Sequence, residues 1–160
     1  MSEIHNTKAQ AIIKQIKYAT IATISLDGQP WNSPVYTAFD NHLNFYWFSD
    51  KDSQHSKNIR DTGKCFIVIY DSTAPEGTGE GVYIQASAQE LSDDAVLKAK
   101  AICDARIGKE KDRNISNYTG EASLRGYKAA PIKMWMNDDA KNADGSYLKD
   151  IRVEITLPIR

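Results

Sequence analysis

Hydrophobic positions along this chain recur with two different periods. Near the start, Ile12, Ile13 and Ile16 form a short apolar stripe at helical spacing, which predicts a helix over His5–Tyr18. From Ala19 to Leu26 the run ATIATISL is rich in Thr and Ile, residues that favour strands. Asp27-Gly28 then reads as a hairpin turn, because glycine accepts the positive φ such turns require. Pro34–Phe39 and Leu43–Phe48 predict the next two strands, joined by a tight turn at Asp40-Asn41. Ser53 is placed to cap a helix running to about Thr62, and Gly63 to end it. Cys65–Tyr70 is apolar on both faces, which predicts a fully buried strand.

The second half repeats these signals. Ser72–Gly81, with Pro75 and three glycines, reads as a loop, and Val82–Leu91 as a long strand. Ser92 is placed to cap another helix, with Asp93 and Asp94 in the first turn where negative charge suits the helix dipole. Val96, Ala99, Ile102 and Cys103 fall on its inward side, and Gly108 closes it. Lys109–Lys128 is polar and mixed, and predicts only a short helix or loop. Pro131–Asn137 and Asp150–Leu157 predict the last strands; in the second, Ile151, Val153, Ile155 and Leu157 alternate with Arg152, Glu154 and Thr156. The fold class is therefore α+β and mainly β: six or seven antiparallel strands in a barrel with two or three flanking helices. No repeat or linker divides the chain, so one domain over 1–160 is expected.

Composition narrows the function classes. Twenty Lys and Arg stand against 21 acidic residues, for a net charge of -1, which argues against nucleic-acid or membrane-surface binding of the kind that shows as a basic excess. No apolar run approaches the roughly 18 residues of a membrane span, and the N-terminal stretch lacks the apolar core of a secretory signal. The two cysteines, Cys65 and Cys103, fall at apolar positions and read as buried free thiols, which fits a cytoplasmic location.

Candidate chemistry concentrates between Leu43 and Tyr70. Two β-rich runs flank a polar segment carrying Ser49, Ser53, Ser56, Lys57 and Arg60. Hydroxyls and cations at the start of a helix are what a phosphate-bearing ligand needs, since the helix N-terminus adds free N–H groups and partial positive charge. An ordinary strand-to-helix connection with solvated side chains explains the same pattern equally well. His5, His42 and His55 have no metal-ligand spacing, and His55 reads as an exposed helical residue. The GTGEG run at 77–81 leads into a strand and lacks the Lys-Ser/Thr of a phosphate loop. No nucleophile or acid–base pair stands out, so any catalysis is expected to rest on a bound cofactor. Tyr36, Tyr46, Trp47, Phe48 and Trp135 read as core or subunit-interface aromatics, with Trp135 the best placed to meet a flat cofactor.

The order of these features resembles the pyridoxamine 5'-phosphate oxidase-like, FMN-binding split-barrel family. The resemblance rests on Ala22–Tyr70: an opening strand, the Asp-Gly hairpin, the Pro34-Val35 strand, an aromatic strand ending in Ser49, and the Ser53–Lys57 turn with Asn58. It extends more weakly through Val82–Leu91, Met134-Trp135 and Tyr147–Ile155. It implies a homodimer with two FMN sites at the subunit interface. Asn32, Ser33, Pro34, Val35, Tyr36 and Thr37 would edge the flavin ring, largely through backbone groups. Phe48 and Ser49 would lie by the ribityl chain and phosphate, and Ser53, Ser56 and Lys57 would hold the phosphate. Gln85 would contact the ring, and Trp135 would approach it from the partner. Asn32 and Thr37 stand where true pyridoxamine phosphate oxidases have arginine and lysine, and the Arg-x-His substrate signature is missing after Trp135. The resemblance thus implies a short, general-stress-protein-like branch: a small flavin oxidoreductase of unknown substrate rather than a vitamin B6 oxidase. The alternatives are a non-catalytic flavin-binding or stress-response protein, or the same fold holding a deazaflavin or haem.

Overall fold

The computed structural model describes residues 2–108 and 114–157. Helix α1 (Ser2–Gln15) leads into strands β1 (Tyr18–Ile24), β2 (Pro30–Tyr36), the two-residue β3 (Ala38–Phe39) and β4 (Phe45–Asp50). Helix α2 (Gln54–Thr62) separates these from β5 (Lys64–Tyr70) and β6 (Gly81–Glu90). Helix α3 (Asp93–Ile107) and a 3-10 turn (Ile115–Asn117) precede the final hairpin, β7 (Leu124–Lys141) and β8 (Tyr147–Ile155).

Every pairing is antiparallel, in the order β2-β1-β5-β6-β7-β4-β3, with β8 also on β7. The long strand β7 makes the branch. One edge pairs with β6; the other pairs with β4 through Leu124–Ala129 and with β8 from Met134 onward. Pro131 sits in the gap between those two partners, where the second edge is unpaired and a residue without an N–H is tolerated. Ile132 is the extra residue of a bulge opposite Gln85 and Ala86. Val35, near one end of the strand order, shares a buried cluster with Phe45 and Trp47, near the other end. The sheet therefore rolls around one core, as a split barrel does.

A second apolar cluster joins α3 to the barrel's outside: Val96, Ala99 and Cys103 pack on Ala38, Tyr46, Leu91 and Tyr118. Strand β4 consequently buries Phe45 and Trp47 on its inner side and Tyr46 on its outer side. That double burial is why FYWF shows no polar alternation. Arg106 of α3 donates through Nη2 to the Ile13 and Ile16 carbonyls at 2.7 and 2.8 Å, tying α3 to the end of α1.

Several sequence expectations change. There are eight strands among the described residues, not six or seven. Thr37, whose N–H donates to the Lys17 carbonyl, divides the expected Pro34–Phe39 strand into β2 and β3. Of the mixed segment 109–128, residues 109–113 lie outside the described residues, while Leu124 onward already belongs to β7. Strand β5 is buried on one face only: Cys65, Ile67 and Ile69 point into the core, while Phe66 and Tyr70 are exposed. Nothing in the described chain covers the sheet's outer face there. Ser53 and Ser92 take the N-cap positions, but neither side chain makes a cap hydrogen bond. Both cysteines are buried, as expected. Among the described residues, no helix is long and apolar enough to cross a membrane.

Candidate functional site

Strand alternation sorts the candidate residues before any ligand is considered. On the sheet's outer face, pairing aligns Pro34, Thr20, Val68, Tyr83 and Trp135 in one row. The adjacent row holds Asn32, Ala22, Phe66, Gln85 and Lys133. Asn32, Pro34, Gln85 and Trp135 therefore share one open surface. Trp135 stacks on Phe66 with centroids 6.4 Å apart and planes 17° from parallel. Strand β2 ends the strand order, so the backbone edge it turns away from β1 carries no ladder partner.

The alternate residues of β2 face the other way. Val35 is buried in the core. Ser33 reaches the start of α2, where its Oγ lies 3.2 Å from His55 Nδ1. The Ser53 Oγ lies 3.2 Å from His55 Nε2 and donates to Ser56 Oγ at 2.8 Å. Ser56 in turn donates to the Asp50 carbonyl at 2.8 Å. Asn58 Nδ2 donates to Thr23 Oγ1 at 3.0 Å, pinning α2 to β1. The helix is thus fastened at its start and its middle, with Lys57 left exposed on its outer side.

Three expectations about individual residues need revision. His55 is 8% exposed rather than a solvent-facing helical residue, because β2 covers it. Burial alone holds its pKa below the ordinary histidine value. Ser56 is completely buried and spends its proton on the Asp50 carbonyl, so it shapes the turn instead of offering a free hydroxyl. Arg60 is drawn away to Glu90, 2.9 Å from its Nη1, in a cluster with Arg125 and Tyr127. Burial, with the nearby Glu90 carboxylate, pushes the Tyr127 phenol up to about 12.

The remaining candidates are dispersed. Thr37 is buried, and Tyr36 and Phe48 line a cavity of about 90 Å³ beneath α3, together with Lys100, Cys103 and Tyr118. Ser49 follows Phe48 on β4, paired with Arg125. The residues that sequence reading missed, Thr23, Trp31 and a buried His55, carry no local signal. Their roles arise only when β1, β2 and α2 meet. No group of three or more His, Cys, Asp or Glu among the described residues is arranged to hold a metal.

A family model described as pyridoxamine 5'-phosphate oxidase matches residues 6–133. The chain belongs to the pyridoxamine 5'-phosphate oxidase family. Solved structures of the same fold include a haem-binding protein from Mycobacterium smegmatis, at 15% identity and TM-score 0.67, covering 93% of this chain and 57% of that one. They also include the haem storage protein HutZ from Vibrio cholerae, at 16% identity and TM-score 0.64, covering 76% of this chain and 86% of that one. ChuZ from Campylobacter jejuni matches at 15% identity and TM-score 0.67, covering 94% of this chain and 60% of that one. At these identities the likeness shows the fold alone. Comparison with curated proteins gave no match.

The family binds flavin or haem cofactors, and the donors present suit the phosphate and ring edge of a flavin. A phosphate tail calls for cations and N–H or O–H donors; the start of α2 offers the Lys57 ammonium, with Ser49 on the strand before it, while Ser53, like Ser56, spends its proton within the turn. A flavin ring edge calls for backbone donors and acceptors, and β2 has an unpaired edge to supply them.

Proposed function

We propose that this chain binds FMN as a homodimer and acts as a small flavin-dependent oxidoreductase. The observation that carries this reading is the shared outer face of Asn32, Pro34, Gln85 and Trp135, on a strand whose Ser33 reaches the start of α2. Hydride or single-electron transfer is the chemistry that the bound cofactor supplies. The chain's own residues do the rest. Lys57 and Ser49 bind the phosphate, and the free edge of β2 orients the ring. Gln85 contacts the ring, and Trp135 reaches the ring of the partner's site. Exposed aromatics on the same face, Phe66 at 37% and Tyr70 at 48%, give the dimer apolar area to bury.

Reduction of the FMN-loaded protein by NAD(P)H tests the catalytic part. A rate above that of free FMN supports an oxidoreductase, and a rate no higher leaves a non-catalytic flavin binder. Haem is the second reading, suggested by the names of two structural neighbours. Among the described histidines, His5 is engaged by Asp138 and His55 is enclosed, so His42 is the exposed histidine that would hold a haem iron.

A further inference from the structure

Apart from the residues assigned to the flavin, α3 and the β3–β4 turn wall an open cleft of about 610 Å³, a size within the roughly 300–1,000 Å³ of small-molecule sites. Lys98, Ile102 and Arg106 recur at helical spacing, so α3 turns one side to the cleft, and Phe39 and His42 line it from the strand side. An adjoining cavity of about 130 Å³ shares Phe39 and Asp40 and adds Lys14 of α1 and Leu157.

Three cations line this depression, Lys14, Lys98 and Arg106, against one carboxylate, Asp40. The Asp40 charge is already spent on its own turn, where the His42 and Asn44 backbone N–H groups, the Asn44 amide and the Tyr46 hydroxyl donate to it. Among the described residues, none of the three cations pairs with a carboxylate. For two exposed lysines that is ordinary. For Arg106 it is not, because the residue is partly buried and its Nη2 donates only to the Ile13 and Ile16 carbonyls. Its guanidinium carbon lies 4.8 Å from the centre of the Phe39 ring. Carbonyl dipoles and a ring face leave the charge uncancelled, and burial holds the Arg106 pKa below its ordinary value. An anion in the cleft would supply the missing countercharge. The apolar walls, Phe39, Ile102 and Leu157, suit a flat hydrocarbon body attached to that anion.

We propose that this cleft is a binding site for a small organic acid with a flat apolar body. It stands independently of the flavin reading. The wall on the strand side is built before any ligand arrives: the Leu43 N–H donates to the Asp40 carbonyl at 2.9 Å, and Leu43 is held at φ 58°, in the region that favours glycine. A wall fixed in advance spares a ligand the cost of ordering it.

The test uses 2-naphthoate and the uncharged 2-naphthylmethanol, each titrated into the nitrogen-15-labelled protein and followed by its amide shifts. The expected result is saturable shifts at His42, Leu43 and Ile102 with naphthoate, and binding of the alcohol about tenfold weaker, the value of a charge-assisted contact. Lys14 and Lys98 are exposed and can be neutralised with the fold intact, unlike Arg106, which ties α3 to α1. The Lys14→Gln/Lys98→Gln double variant should bind naphthoate about fivefold more weakly, as expected for two exposed ion pairs, and bind the alcohol as before. Shifts confined to β6 and β7 would overturn the proposal. So would naphthoate that binds no better than the alcohol, that ignores the double substitution, or that shifts nothing at millimolar concentration. Every arm is read without FMN, so failure of the flavin reading leaves this test standing.

Discussion

Asp40 is the clearest case of a single residue organising its surroundings. Burial would raise its pKa, but its carboxylate accepts from the His42 and Asn44 backbone, from Asn44 Nδ2 and from the Tyr46 hydroxyl, and these bonds outweigh burial and hold it below the ordinary value. A depressed carboxylate pKa stabilises the fold above the unfolded-state value of about 3.9, and that stabilisation is lost as pH falls through the folded-state value. Asp40→Asn should therefore lower stability to urea at pH 7, with the gap to the parent protein closing as pH falls below the unfolded-state value of about 3.9. A gap that persists unchanged in acid would count against the carboxylate as its source. At the candidate site, Lys57→Ala should weaken FMN binding by roughly ten- to a hundredfold, the value of a charge-assisted contact. Isothermal titration checks this, and an unchanged affinity in a folded variant would move the phosphate elsewhere. The hydroxyl-and-lysine pattern of this segment was legible in the chain. The burial of His55 was not, because the strand covering it lies more than twenty residues earlier.

Elements were legible wherever local chemistry terminates them. Gly63 closes α2 with φ at 66°, and an added Cβ would meet nothing closer than the Ala88 carbonyl at 3.9 Å. Gly63→Ala should thus cost only the left-handed conformation, about 1–2 kcal/mol by chemical denaturation. Gly126 is a different case. A Cβ there would lie 3.1 Å from a Phe48 ring carbon and 3.2 Å from a Leu91 methyl, both packed under α3. Gly126→Ala should cost about 1–3 kcal/mol through overpacking, and should disturb the near-ultraviolet signal of the aromatic cluster. A variant as stable as the parent would show that this cluster is loosely filled. The same glycine explains why the start of β7 was hidden: LRGYKAA has a Gly and two cations among its apolar residues, and its strand identity comes from pairing with β4 and β6. Strand β5 misled in the opposite sense, because its outward Phe66 and Tyr70 look like core residues.

Taken as a whole molecule, the barrel has a closed inside and an apolar outside, and these have different origins. The inside follows from period-two alternation on seven strands and the helices packed over it. The outside, with Phe66, Tyr70 and Trp135 in line with the β2 edge, serves no purpose in the isolated chain that packing explains. On the proposed reading, a second copy with FMN between the two faces would cover it. Trp135→Ala should then loosen FMN by severalfold and leave folding intact, since Trp135 touches Phe66 on the surface and not the core. The measurement that tests the central claim most directly is the absorbance spectrum of the purified protein, followed by titration of its apo form with FMN. The expected result is a shifted flavin band near 450 nm, a wavelength set roughly by the cofactor itself, with quenched fluorescence and saturation at one FMN per chain. An apo protein that leaves micromolar FMN spectroscopically unchanged would contradict the flavin reading and leave only the fold.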